Sequence, residues 1–183
     1  ALRKQTESQR LIEDFMMAAN VAAADMLIAA RHPCVFRVHD APDPKKADSL
    51  HKLADAIGGK FARGQVLQPH HFNKLLAHVK DTADELMVNE AVLRSQSKAV
   101  YDINNIGHFG LALRNYAHFT SPIRRYADLL VHRALVDHTT KGKKAPVDGL
   151  LDMPLEIMSE ICTHISETEA NAASAERRSI DRF

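Results

Sequence analysis

The sequence predicts an α+β fold: a mainly helical lobe with a few short strands. Three observations carry this. Long segments place apolar residues at spacings of three and four, proline and glycine punctuate those segments as helix starts and stops, and only brief stretches alternate with period two.

The first helix is expected from about Glu7 to Ala30, with Leu11, Phe15, Ala18, Ala22, Met26 and Ala29 at helical spacing. It is alanine-rich and apolar on several faces, which suits a central packing position. His32-Pro33 ends it, because proline and the residue before it both resist helix. Cys34-Val35-Phe36-Arg37-Val38 then alternates like a short strand. Asp43-Pro44 opens a second helix that stops at Gly58-Gly59, with proline just inside the start and glycine past the end. Pro69 opens a third through Phe72, Leu75, Leu76 and Val79, and a fourth runs roughly from Asp84 to Gln96. Val100, Tyr101 and Ile103, then Phe109, Leu111 and Leu113, read as short strands around the turn Asn104-Asn105-Ile106-Gly107. Ser121-Pro122 reads as a capping serine followed by proline at the first helical position, of a helix running to about His138. Thr139–Gly149 reads as a loop, and its lysines Lys141, Lys143 and Lys144 as solvated. The last helix begins near Met153-Pro154 and continues to the C-terminus. No internal repeat, low-complexity tract or interdomain linker is visible.

Composition bounds the function without choosing it. The chain has 183 residues, 45% hydrophobic and 26% charged, as in an ordinary globular domain. No apolar run approaches the roughly 18 residues that span a bilayer; Phe15 to Ala30 comes nearest and is interrupted by Asn20 and Asp25. Residues 1–10 are charged and polar and do not resemble a signal peptide. Cys34 and Cys162 make neither a disulfide framework nor a zinc pattern, and a reducing, cytoplasmic location is expected. The formal net charge is +1, so nucleic-acid binding would have to come from local clusters rather than from a bulk field.

The most informative segment is Tyr116-Ala117-His118-Phe119-Thr120-Ser121-Pro122-Ile123-Arg124-Arg125-Tyr126. With Ser121 as cap, Arg124 and Arg125 fall in the first helical turn, where cations oppose the helix dipole. The position becomes favourable if an anion binds there, and the surrounding aromatic residues suit stacked bases and phosphates. The alternative is an arginine pair held by carboxylates such as Asp128. Adjacent helical positions diverge by about 100°, so one arginine is expected to be functional rather than both.

On the last helix, Met158, Ile161, Cys162 and Ile165 form a stripe that leads through Glu169 and Ala172 to Glu176. A carboxylate on a packed stripe must be paired, for example with Arg124 or Arg177, or functional. On the first helix, Glu13 and Asn20 share a face with Met17, Ala24 and Leu27, and the plain reading is the solvated edge of a partly exposed helix. The histidines show no HExxH or other metal-ligand spacing and are expected to be hydrogen-bonding or surface residues.

His108-Phe109-Gly110-Leu111-Ala112-Leu113, the segment from Tyr116 to Tyr126, and then Asp128-Leu129 and His132-Arg133 together resemble the catalytic-domain signature of the RNase II/RNase R (RNB) superfamily. Ser8 with the run Leu11 to Asn20 is similar to the family's earlier helix, and Ala175-Glu176-Arg177 to its late one, in the family's order. The resemblance spans essentially the whole chain and fits the C-terminal half of that catalytic domain. It implies processive 3′→5′ hydrolysis of single-stranded RNA to nucleoside 5′-monophosphates with Mg²⁺. It implies that Arg124 is the catalytic arginine at the scissile phosphate. It also implies that Ser8, Glu13, Arg125 and Glu176 contact RNA, Arg125 as the weaker candidate.

The family holds its metals with an aspartate cluster of the form GxxxDxDDA, and no such cluster occurs in residues 1–183. Two-metal chemistry needs converging carboxylates that place ions about 4 Å apart. The chain alone is therefore expected to hold no metal and to be inactive, needing an N-terminal half of the catalytic domain as partner. Surface meant to face that half is expected to favour self-association. Two rivals remain. One is a non-catalytic RNA-binding module, which would bind RNA with steep salt dependence and cleave nothing. The other is a structural or interaction domain, which would show Arg124 and Glu176 buried and fully paired.

Overall fold

The computed structural model describes residues 5–59, 61, 67–140 and 150–182; the lysines at 141–144 lie outside them. The elements run α1 (Glu7–Ala29), β1 (Phe36–Val38), α2 (Pro44–Ala56), α3 (Pro69–Val79), α4 (Glu85–Ser95), β2 (Val100–Asp102), α5 (Tyr126–Thr140) and α6 (Leu155–Ile180), with a 3₁₀ turn at Phe109–Leu111. The fold is mostly helical with short strands, as the sequence predicts. Contacts group the chain into two compact units: Ala1–Val38, Val100–Asn105 and Asn115–Phe183 in one, and His39–Ala99 with Ile106–Arg114 in the other.

The first unit holds α1, β1, β2, α5 and α6. The Thr6 side chain caps α1 by accepting from the Gln9 amide, and the Gln9 side chain returns the bond to the Thr6 amide, which satisfies two donors that a helix start leaves free. Two antiparallel strands pair Phe36 with Asp102, Arg37 with Tyr101 and Val38 with Val100. Around them Ala23, Ala24 and Leu27 of α1, Leu130, Val131 and Ala134 of α5, and Met158 and Cys162 of α6 close the core. Arg37 crosses the Tyr101 ring at 4.5 Å and forks onto Glu169 of α6, with Nη1–Oε2 at 2.6 Å and Nη2–Oε1 at 3.2 Å.

The second unit packs α2, α3 and α4 around Leu50, Ala54, Phe72, Leu75, Val79, Val88 and Val92. Its helix starts follow the sequence signals: Asp43 accepts from the Lys45 amide and Pro44 and Pro69 sit at first helical positions. The expected second strand near Phe109, Leu111 and Leu113 is absent. The His108 side chain accepts from the Leu111 amide, and Ala112 turns left-handed at φ 55°, so the alternating residues wind into a 3₁₀ turn.

A second expectation fails at α5. Ser121-Pro122 marks a turn rather than a helix cap, and regular helix starts at Tyr126. The Ser121 amide donates to Asp128 Oδ1 at 2.8 Å, and the Ser121 carbonyl accepts from the amides of Arg124 and Arg125. The local signal is real, but a buried carboxylate one turn into the helix converts it into a separate tight turn. Arg124 and Arg125 thus precede the helix and do not oppose its dipole from within.

Candidate nucleic-acid interface

The arginine turn is assembled from three elements of the first unit. Asn20 sits in the alanine-rich part of α1 and is only 3% exposed. Its Nδ2 donates to the Tyr116 hydroxyl at 3.1 Å, and its Oδ1 accepts from the Phe119 amide at 2.9 Å and the Thr120 amide at 3.3 Å. The plain reading of this face as a solvated edge is therefore wrong at Asn20, though it holds for exposed Glu13. The reason is long-range: the groups that satisfy Asn20 lie about a hundred residues away along the chain.

His132 of α5 stacks on Phe119, with centroids 4.3 Å apart and planes 15° apart, and its Nε2 donates to the Phe119 carbonyl at 2.8 Å. Asp128 is fully buried. Its Oδ1 accepts from Ser121 N–H and from Arg125 Nη2 at 2.9 Å, while Arg125 Nε lies 2.8 Å from Oδ2 in charge contact but off the hydrogen-bond axis.

The two arginines consequently differ. Arg125 is half-buried and committed to Asp128. Arg124 is exposed and, among the described residues, makes no side-chain hydrogen bond or ion pair. The two arginines precede the helix, so it is the pairing of Arg125 with Asp128, and not helical divergence, that sets them apart. The aromatic surround is mostly structural: Tyr116 binds Asn20, the Tyr101 hydroxyl bonds His118 Nδ1 at 2.9 Å, and Phe119 stacks on His132. Burial is the main cause that pushes the Tyr101 hydroxyl up to about 12, so it stays a neutral phenol. Tyr126 alone of these rings stands half-exposed beside the arginines.

Arg10, Glu13, Asp14, Met17 and Asn20 of α1 face Tyr116 and Arg125 across a pocket of about 400 Å³. Glu13 accepts from Gln5 Nε2 at 2.7 Å. Of the predicted site residues, Glu13 and Arg125 line this pocket, and Arg124 adjoins it in sequence. Ser8 is exposed on the first turn of α1, with its hydroxyl 3.0 Å from that of Thr6.

Glu176 departs from its expected setting. The stripe is packed at Met158 and Cys162, but α6 is almost wholly exposed from Glu167 onward, and Glu176 is exposed with no hydrogen bond or ion pair among the described residues. Helical periodicity continues past the last neighbour able to bury it. Asn20, Asp14 and Arg10 are pocket residues that sequence reasoning does not reach as site residues. The one signal pointing to them is a polar asparagine inside an alanine-rich apolar stretch.

Among the described residues no three His, Cys, Asp or Glu side chains converge so as to hold a metal ion. The carboxylates among the described residues are scattered and do not fit a Mg²⁺ site. Among the described residues no helix is long and apolar enough to cross a membrane.

The fold that carries this turn is one that known proteins share. The sequence matches the RNB domain over residues 1–141. The chain belongs to the RNB domain family. It is 38% identical to ribonuclease R of Aquifex aeolicus (strain VF5) over 95% of the chain and 24% of that protein. It is 36% identical to ribonuclease R of Escherichia coli (strain K12) over 97% of the chain and 22% of that protein. It thus spans about a quarter of the length of the curated relatives it matches. The fold superposes on Mycoplasma genitalium RNase R in complex with ribose methylated single-stranded RNA with a TM-score of 0.86 and 28% identity, covering 98% of this chain and 28% of that one. Yeast Ssd1, described as a pseudonuclease, shares the fold at a TM-score of 0.71 and 24% identity, covering 90% of this chain and 20% of that one. Likeness of fold alone therefore does not establish activity.

Proposed function

We propose that this chain is the arginine-bearing lobe of a ribonuclease R-type 3′→5′ exoribonuclease acting processively on single-stranded RNA in the cytoplasm, releasing nucleoside 5′-monophosphates. The observation that carries this reading is the asymmetry of the arginine turn: Arg125 is paired with buried Asp128, whereas Arg124 is exposed and, among the described residues, without a side-chain partner. An exposed guanidinium carried on a braced turn is suited to stabilise charge that develops on a phosphate under attack. Glu13 and Arg125 would contact the RNA beside it in the pocket, Ser8 at the start of α1, and Glu176 along the exposed end of α6.

Mg²⁺ chemistry would come from carboxylates outside this chain, so the lobe by itself would not cleave. A structural or interaction domain would bury and pair Arg124 and Glu176; both are exposed, which favours an RNA-facing role. The test is a cleavage assay on 5′-labelled single-stranded RNA with Mg²⁺, using this chain alone and then with the aspartate-bearing half of the domain added. Activity only with the added half, abolished by Arg124→Ala, is the expected result. Degradation by the chain alone would overturn the split-site reading, and unchanged cleavage with Arg124→Ala would remove the arginine's role.

A further inference from the structure

Three consecutive backbone amides, those of Phe119, Thr120 and Ser121, donate to oxygens of just two buried side chains: the first two to Asn20 Oδ1 and the third to Asp128 Oδ1. His132 holds the same segment through the Phe119 carbonyl and ring. The segment in turn holds the arginines, since both their amides donate to the Ser121 carbonyl at 3.2–3.3 Å. These three amides find their partners on α1 and α5 rather than within their own turn, so the conformation of the segment depends on side chains those helices deliver. Asn20 suits this bracing role because a neutral amide supplies one oxygen with two acceptor sites and an NH₂ group that is itself anchored on Tyr116.

We propose that Asn20 and His132 are positioning residues for Arg124, fixing the 119–121 segment so that the turn carrying Arg124 is set where the phosphate reacts. This rests on the role given to Arg124 above. Neither residue needs to touch RNA. Positional precision of this kind acts on the chemical step, because displacement by about 1 Å can cost on the order of a hundredfold in rate.

The test is kinetic and uses the full-length enzyme that carries this chain, with a labelled single-stranded RNA. Asn20→Leu should lower kcat at least about tenfold while KM moves less than about threefold, since binding groups remain in place. Asn20→Asp, which keeps an acceptor oxygen for both amides, should recover most of that loss. The Asn20→Leu/Arg124→Ala double variant should be no slower than Arg124→Ala alone, because residues that act through one another are non-additive. Wild-type kcat in Asn20→Leu, a change confined to KM, or additive losses in the double variant would each overturn the proposal. If Asn20→Leu fails to fold by circular dichroism, the same cycle with His132→Phe decides. That variant keeps the ring stack and loses the bond, so an unchanged kcat there overturns the proposal. Should Arg124→Ala cleave normally while Asn20→Leu is slow, the reading of Arg124 fails first, and positioning through it fails with it.

Discussion

A carboxylate with no exposed surface is stable only when its charge is compensated, and Asp128 is compensated by Arg125 and by the Ser121 amide. Asp128→Ala should cost about 2–4 kcal/mol in urea unfolding, because it strips Arg125 of its partner and leaves the part-buried Ser121 amide unsatisfied. Arg124→Ala should change the same measurement by less than about 0.5 kcal/mol, since it removes an exposed side chain with no partner among the described residues. Equal losses in the two variants would contradict the division of roles between the arginines. The two cysteines offer a second check. Cys34 and Cys162 are free and buried, and burial is the main cause that pushes both thiols up to about 12, against 9.0 for an ordinary thiol. At pH 8 neither should react with iodoacetamide until urea unfolds the chain, as read by mass spectrometry. A raised thiol value favours the folded state fully below 9.0, and that contribution fades as pH climbs from 9.0 toward about 12. Neither the burial of Asp128 nor that of Asn20 is legible locally, because each is satisfied by groups that only the tertiary fold delivers.

Helices whose boundaries are set by adjacent residues are legible in the sequence, and α2 and α3 show why. Asp43-Pro44 and Pro69 act on their own first turns, so no distant contact is needed to place them. Where a distant or side-chain partner intervenes, the local signal misleads: Asp128 turns the Ser121-Pro122 start into a separate turn, and His108 winds an alternating stretch into 3₁₀. The α6 helix shows a third failure, in which periodicity is correct but packing ends. Met158 is fully buried and Glu176 is exposed on the same helix. Met158→Ala should therefore cost about 2–5 kcal/mol by denaturant unfolding, whereas Glu176→Ala should stay within about 0.5 kcal/mol. A large effect of Glu176→Ala on folding would mean the distal helix packs in solution and would weaken its assignment to RNA contact.

For the molecule as a whole, the family is legible because its signature is a continuous run of residues, while the division into two interleaved units is not, since the chain leaves and re-enters the first unit without a linker-like stretch. Exposed apolar residues along α1, Leu11, Ile12 and Phe15, are 54–63% accessible, and apolar surface of that kind should make the isolated chain associate in a concentration-dependent way by sedimentation velocity. The charge balance makes a sharper prediction about RNA. With a net charge of only +1, the chain has little long-range field, so affinity has to come from individual phosphate contacts, each releasing counterions. For a single strand each such contact contributes about −0.7 to the slope of log K against log salt. If Arg124 meets a phosphate, Arg124→Ala in this chain, measured by RNA anisotropy in EDTA, should reduce the magnitude of that slope by about 0.7. Lys46, on α2 in the second unit, should leave it unchanged when replaced by alanine. An identical slope for Arg124→Ala and the unaltered protein would place the exposed guanidinium away from the RNA backbone, whatever its effect on folding.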